Sequence, residues 1–117
     1  MALLEVTQHV RDRAVVLSAT GEIDSSTVDQ LRGQLDAAFE AASTHTAKLL
    51  VIELGDVTYF GSAGLNSVLD CHERGRNDGV TVRVVANTAE VIRPIEVTKL
   101  DSVLRPYPTV ADAVDGS

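Results

Sequence analysis

The chain has no tryptophan, and aromatic residues make up only 3% of it. A buried core must therefore come from valine, leucine, isoleucine and alanine, which the 44% hydrophobic content supplies in the range of a globular protein. One cysteine, Cys71, excludes an internal disulfide and any cysteine-based metal framework. No apolar run approaches the roughly 18 residues that a membrane helix needs, and the N-terminus lacks the charged-then-apolar pattern of a signal peptide. The expectation is a cytoplasmic protein with no membrane contact. Cations are also in short supply: 10 Lys and Arg stand against 17 Asp and Glu, a formal net charge of −7. Nucleic acid and anionic lipid surfaces would be repelled, so a partner surface should be neutral or basic.

The catalytic inventory is equally thin. A serine nucleophile needs a histidine base and an orienting group. The 3 histidines supply no such partner: His9 falls in the first predicted strand, His45 in a polar connection, and His72 on an apolar helix stripe, where packing explains it. Gly61-Ser62-Ala63-Gly64 lacks the Gly-Lys-Ser/Thr ending of a phosphate loop. With no paired acids and no metal cluster, the expectation is a protein that is not an enzyme and needs no cofactor or metal.

What is present is an alternation of strand and helix patterns in 117 residues, the length of one domain. Leu3 to Val10 alternates approximately as a half-buried strand, and Ala14 to Ala19 follows a polar turn, so a hairpin is expected. The clearest helix follows Asp24, with Val28, Leu31, Leu35, Ala38, Phe39 and Ala42 at helical spacing. Ser26 with Asp29 reads as its capping box. Lys48 to Leu54 holds the four apolar residues Leu49, Leu50, Val51 and Ile52, the mark of a strand buried on both faces. A short turn leads to Ser62, predicted N-cap of a helix that carries Leu65, Val68, Leu69 and His72 and stops near Gly79. Cys71 falls off that stripe, which would allow a partly exposed, redox-sensitive thiol, but an inert cysteine is the expectation. Val80 to Val85 reads as a strand. Asn87 with Glu90 is expected to cap a third helix bearing Val91, Ile92 and Ile95, where Pro94 either bends the helix or pushes its regular part to start near Arg93. An edge strand at Val103 to Arg105, ended by Pro106 and Pro108 about Tyr107, and a turn or helix from Thr109 to Val114 complete the domain. The order implies right-handed crossovers and a mixed sheet with the loops after the second and third strands side by side.

Two motifs occupy those loops: Gly21-Glu22-Ile23-Asp24-Ser25-Ser26-Thr27, and Asp56-Val57-Thr58-Tyr59-Phe60-Gly61-Ser62-Ala63-Gly64-Leu65. Serine at a helix start is among the commonest caps, and Asp24 alone suits an Asx turn. A phosphate on Ser62 would also meet unsatisfied N–H groups and the positive end of the helix. As a pair, from about Leu4 to Val114, the motifs resemble the STAS family, and within it the bacterial anti-sigma factor antagonists. The resemblance implies a STAS-like α/β fold with a mixed four- to five-stranded sheet and helices mainly on one face, in a single domain over residues 1–117. It implies that Ser62 is a phosphoacceptor, because the family pattern D-S-[ST]-G places its acceptor there. Gly61 and Ala63 depart from that pattern, which has Asp and Ser or Thr at those positions. It implies a partner surface of Glu22, Asp24, Thr27, Gly61, Ala63, Gly64 and Asn66 that binds an anti-sigma factor of the serine-kinase type, with a serine phosphatase to reverse the modification. A STAS module that binds its partner constitutively, as a scaffold or transport accessory, keeps the same fold without the switch.

Overall fold

A computed structural model describes residues 3–116. A mixed sheet lies at its centre, in the order β1 (Leu4–Val10), β2 (Val15–Ile23), β3 (Leu49–Phe60) and β4 (Thr81–Val85). The hairpin pair β1 and β2 is antiparallel, and β2–β3 and β3–β4 are parallel. The parallel pairs are joined by α1 (Val28–Ser43) and α2 (Ser62–Asp78), and α3 (Ala89–Val97), α4 (Asp101–Leu104) and α5 (Val110–Asp115) follow. This is the expected mixed sheet, with four strands among the described residues.

The core follows from the strand alternation. Val15, Leu17, Ala19 and Ile23 of β2, with Leu50, Ile52, Leu54, Val57 and Phe60 of β3, share the main cluster with the apolar stripes of α1, α2 and α3. On the opposite face Val16, Leu49, Val51 and Val85 form a smaller cluster under Ala113 of α5. Strand β3 is buried on both faces over Leu49–Ile52, as the unbroken apolar run implies. No helix among the described residues is long and apolar enough to cross a membrane.

Several boundaries differ from the sequence expectation. Strand β3 runs on to Phe60, through residues expected to form a turn. It stays paired because register shifts at Ser18/Thr20 and Gly21/Glu22 absorb its additional residues. The expected strand at Val103–Arg105 is instead helical over Asp101–Leu104, and Arg105 ends that turn at a φ of 43°. Pairing with β4 is left to Tyr107, whose N–H donates to Val84 O at 2.8 Å and whose carbonyl accepts from Ala86 N at 2.9 Å. Pro106 and Pro108 on either side have no N–H to extend the ladder.

The helix caps also differ from the expectation. Helix α1 is capped at Thr27, not at Ser26, and α3 at Thr88, with Asn87 Nδ2 donating instead to Pro108 O at 3.3 Å. Pro94 lies inside α3, which begins well before Arg93, and Thr98 Oγ1 donates to Pro94 O at 2.8 Å. The apolar stripe of α2 is rotated from the one read in sequence. Leu65 and Val68 are buried, Leu69 is half-buried, and Cys71 is 7% exposed, not partly open. Burial pushes its thiol up to about 11, against a smaller opposing pull from Arg74, so the inert reading of this cysteine has a physical basis.

Leu65, buried in the first turn of α2, tests this packing. Leu65→Ala should lower unfolding free energy by about 2–5 kcal/mol in denaturant titration. An unchanged midpoint would contradict the packing of α2.

Candidate functional site

The carboxyl ends of β2 and β3 are directly paired, Ile23 opposite Phe60. Beyond them the Gly61 N–H donates to Ile23 O at 3.0 Å, so the two chains part only after the pairing is complete. The Asp24 loop leaves from one strand and Ser62 from the other, on the same end of the sheet. The two motifs read in sequence form one surface.

The first loop is tied by its own side chains. Asp24 Oδ1 accepts from Ser26 Oγ at 2.6 Å, Ser26 N at 2.8 Å and Thr27 N at 3.2 Å. This is an Asx turn, and it replaces the expected Ser26–Asp29 capping box. Chiefly through the Ser26 hydroxyl and then its N–H, these bonds hold the carboxyl below its ordinary value. They favour the ionised form, so the turn is braced above the ordinary carboxylate pKa and loosens as pH falls through the lowered one. Thr27 Oγ1 donates to Glu22 O at 2.8 Å and accepts from Asp24 N at 3.0 Å. At 8% exposure Thr27 braces the loop from beneath, whereas Glu22 and Asp24 remain half-buried at its rim.

The second loop differs from expectation by one residue, and that residue matters. Gly61, not Ser62, is the N-cap of α2, at φ −84° and ψ 176°, and Ser62 is the first helical residue. The first intrahelical bond is Leu65 N to Gly61 O, at 3.0 Å. The N–H groups of Ser62, Ala63 and Gly64 are therefore the free donors of the helix start. No acidic residue occupies that first turn to offset the positive end of the dipole. Ser62 and Asn66 are exposed, and Gly61 and Ala63 are half-buried. An exposed hydroxyl thus sits at the mouth of three free N–H groups.

Gly64 explains how the loops come so close. A Cβ there would collide with Ile23 Cγ2 and lie 3.1 Å from Phe60 Cε1. Only a bare Cα lets the start of α2 settle onto the ends of both strands. From the other side, Arg32 Nε of α1 donates to Ser67 Oγ at 3.1 Å, and Ser67 Oγ donates to Ala63 O at 2.9 Å. About two turns further on, Arg74 reaches Glu40 at 2.9 Å and Asp36 at 3.5 Å while lying 4.1 Å over the Phe39 ring. Between these links runs a groove of about 190 Å³ lined by Arg32, Asp36, Asp70, Cys71 and Arg74. The Arg32–Ser67 link and the exposed Tyr59 were not found in sequence. Nothing in local spacing pairs residues from two helices, and Tyr59 lay in the presumed turn.

With this geometry in view, the comparisons decide the family. The STAS domain family model matches residues 5–113. The chain belongs to the STAS domain family. It is 31% identical over 116 residues to the anti-sigma-F factor antagonist RsfA of Mycobacterium tuberculosis, covering 99% of this chain and 88% of that protein. The crystal structure of an anti-sigma factor antagonist from Mycobacterium paratuberculosis superposes with a TM-score of 0.85 at 31% identity, over 97% of this STAS chain and 92% of that one. The Bacillus cell fate determinant SpoIIAA, solved in its phosphorylated form, shares the fold with a TM-score of 0.68 at 16% identity, over 95% and 97% of the two chains.

Gly64→Ala should force the start of α2 off Ile23 and Phe60. The expected loss is about 1–3 kcal/mol of stability in thermal or denaturant unfolding. Wild-type stability would show that the close approach is not a constraint.

Proposed function

We propose that this STAS domain is an anti-sigma factor antagonist. It binds a kinase-type anti-sigma factor, so that a sigma factor is freed, and phosphorylation of Ser62 switches it off. The observation that carries the reading is the exposed Ser62 hydroxyl at the start of α2, next to Gly61, whose backbone N–H donates to Ile23 O on the strand that feeds the Asp24 loop. Support comes from the names of relatives at 31% identity, which are anti-sigma factor antagonists. The partner surface is formed by Glu22, Asp24, Gly61, Ala63 and Asn66, with Thr27 and Gly64 holding it in shape from below.

A phosphate on Ser62 adds a charge of about −1.5 to −2. Within the domain it is well placed, near three free N–H groups and the positive end of α2. Across an interface it is not, because it stands near Asp24 and Glu22 and has to be desolvated against the partner. A penalty of about 3 kcal/mol weakens binding more than a hundredfold, with no change of fold required. The kinase is the anti-sigma factor itself, and a serine phosphatase resets the cycle.

A second reading keeps constitutive binding without a switch, as in a scaffold or transport-accessory module. Gly61 favours it, since the residue before the acceptor carries no carboxylate. Intact mass after incubation with ATP and a purified kinase-type anti-sigma factor from the same organism separates the two. A gain of one phosphate, lost in Ser62→Ala, supports the switch.

Because Ser62 is not the cap, Ser62→Ala should change stability by no more than about 0.5 kcal/mol and should bind the anti-sigma factor like wild type. Ser62→Asp should fold equally well, since an acid suits the first turn of a helix, yet bind at least about tenfold more weakly by titration calorimetry. Equal affinity of all three proteins would contradict the switch.

A further inference from the structure

The aromatic residues are two Phe and two Tyr. Phe39 and Phe60 are buried, and Tyr107 packs against the smaller core cluster. Tyr59 is 53% exposed, three residues from Ser62 along the chain. In register it lies opposite Glu22, and the next pair, Ile23 and Phe60, turns into the core. Tyr59 and Glu22 therefore occupy the sheet face away from α1, α2 and α3, at the end where the two site loops leave. The cover that α5 gives that face reaches Val16, Leu49, Val51 and Val85, near the other end.

The ring turns toward the site. A Cβ on Gly61 would lie 3.0 Å from Tyr59 Cε2 and 3.3 Å from its Oη. The backbone of Gly61, φ −84° and ψ 176°, suits any residue. Glycine is thus not demanded by conformation here; it leaves room for the ring. The aromatic side chain lies over the bare Cα that precedes Ser62.

We infer that Tyr59 is the anchor by which the anti-sigma factor grips this domain, and that Gly61 is bare so that the ring can hold its position. The inference rests on the function proposed above and adds the residue that determines specificity. An exposed tyrosine brings a large apolar area at a low entropic cost, and such residues dominate binding energy when a partner closes over them. The recess that receives it should carry cationic groups at its rim, since Glu22 lies beside Tyr59, and neither it nor exposed Asp56 forms an ion pair among the described residues.

The test is calorimetric titration of wild type, Tyr59→Ala, Tyr59→Phe, Gly61→Asn and a distant control, Val97→Ala, with each purified kinase-type anti-sigma factor of the organism. Val97 lies on α3 and is 73% exposed. Tyr59→Ala should weaken binding about thirtyfold or more, Tyr59→Phe should restore most of it, and Val97→Ala should leave it unchanged. Gly61→Asn should displace the ring and weaken binding about tenfold with no charge added, and because asparagine is a good N-cap the melting temperature should stay level or rise. A protein that is no less stable but binds less well is not explained by a structural role. Wild-type affinity in Tyr59→Ala, with Ser62→Asp still weakened, overturns the anchor and leaves the antagonist function standing. No binding by the wild type to any of these factors overturns both.

Discussion

The site depends on one parallel pairing, that of β2 with β3, carried to the last residue of each strand. Ile23 faces Phe60, and the Gly61 N–H closes the ladder on Ile23 O at 3.0 Å. Two loops far apart in sequence, around Asp24 and Ser62, are brought together by this ladder and by nothing local. Gly64 then lets α2 settle onto both strand ends where any Cβ would collide. If the pairing slipped by one residue, the side chains of β3 would change faces and Phe60 would leave the core.

Rigidity follows from the same arrangement. The Asp24 turn is fixed by bonds from Ser26 and Thr27, and the first turn of α2 is tied to α1 through Ser67 and Arg32. A surface held this firmly does not need to reshape in order to release a partner. In the function proposed above, the charge of a single phosphate at an exposed helix start acts on this fixed surface by electrostatics alone.

The large features were legible in sequence because they rest on patterns of many residues. The apolar run Leu49–Ile52 marked the central strand, the spacing from Val28 to Ala42 marked α1, and the two polar motifs at strand ends marked the loops. What escaped depends on tertiary context. Strand β3 passes through Gly55 and Asp56 because a bulge beside Gly55 takes up one extra residue and Thr20 of β2 then pairs with Asp56. Ser26 resembles a cap, yet Asp24 takes the donors first. Cys71 falls off the stripe read along α2, yet packing of α2 against the core buries it. Ser62 is the first helical residue, one position beyond the cap that its residue type suggests, and its exposure and its place beside the Asp24 loop are the same in either position.

The central claim is that one end of the sheet, where the Asp24 and Ser62 loops meet, is the surface that recognises an anti-sigma factor. Amide hydrogen exchange of the domain, free and saturated with a purified kinase-type anti-sigma factor, tests it most directly. The account predicts new protection concentrated in residues 22–27 and 59–66, with little change at the far end around Arg13 and Asp115, which are paired there at 3.2 Å. Protection confined to that far end, with the two loops unaffected, would contradict it.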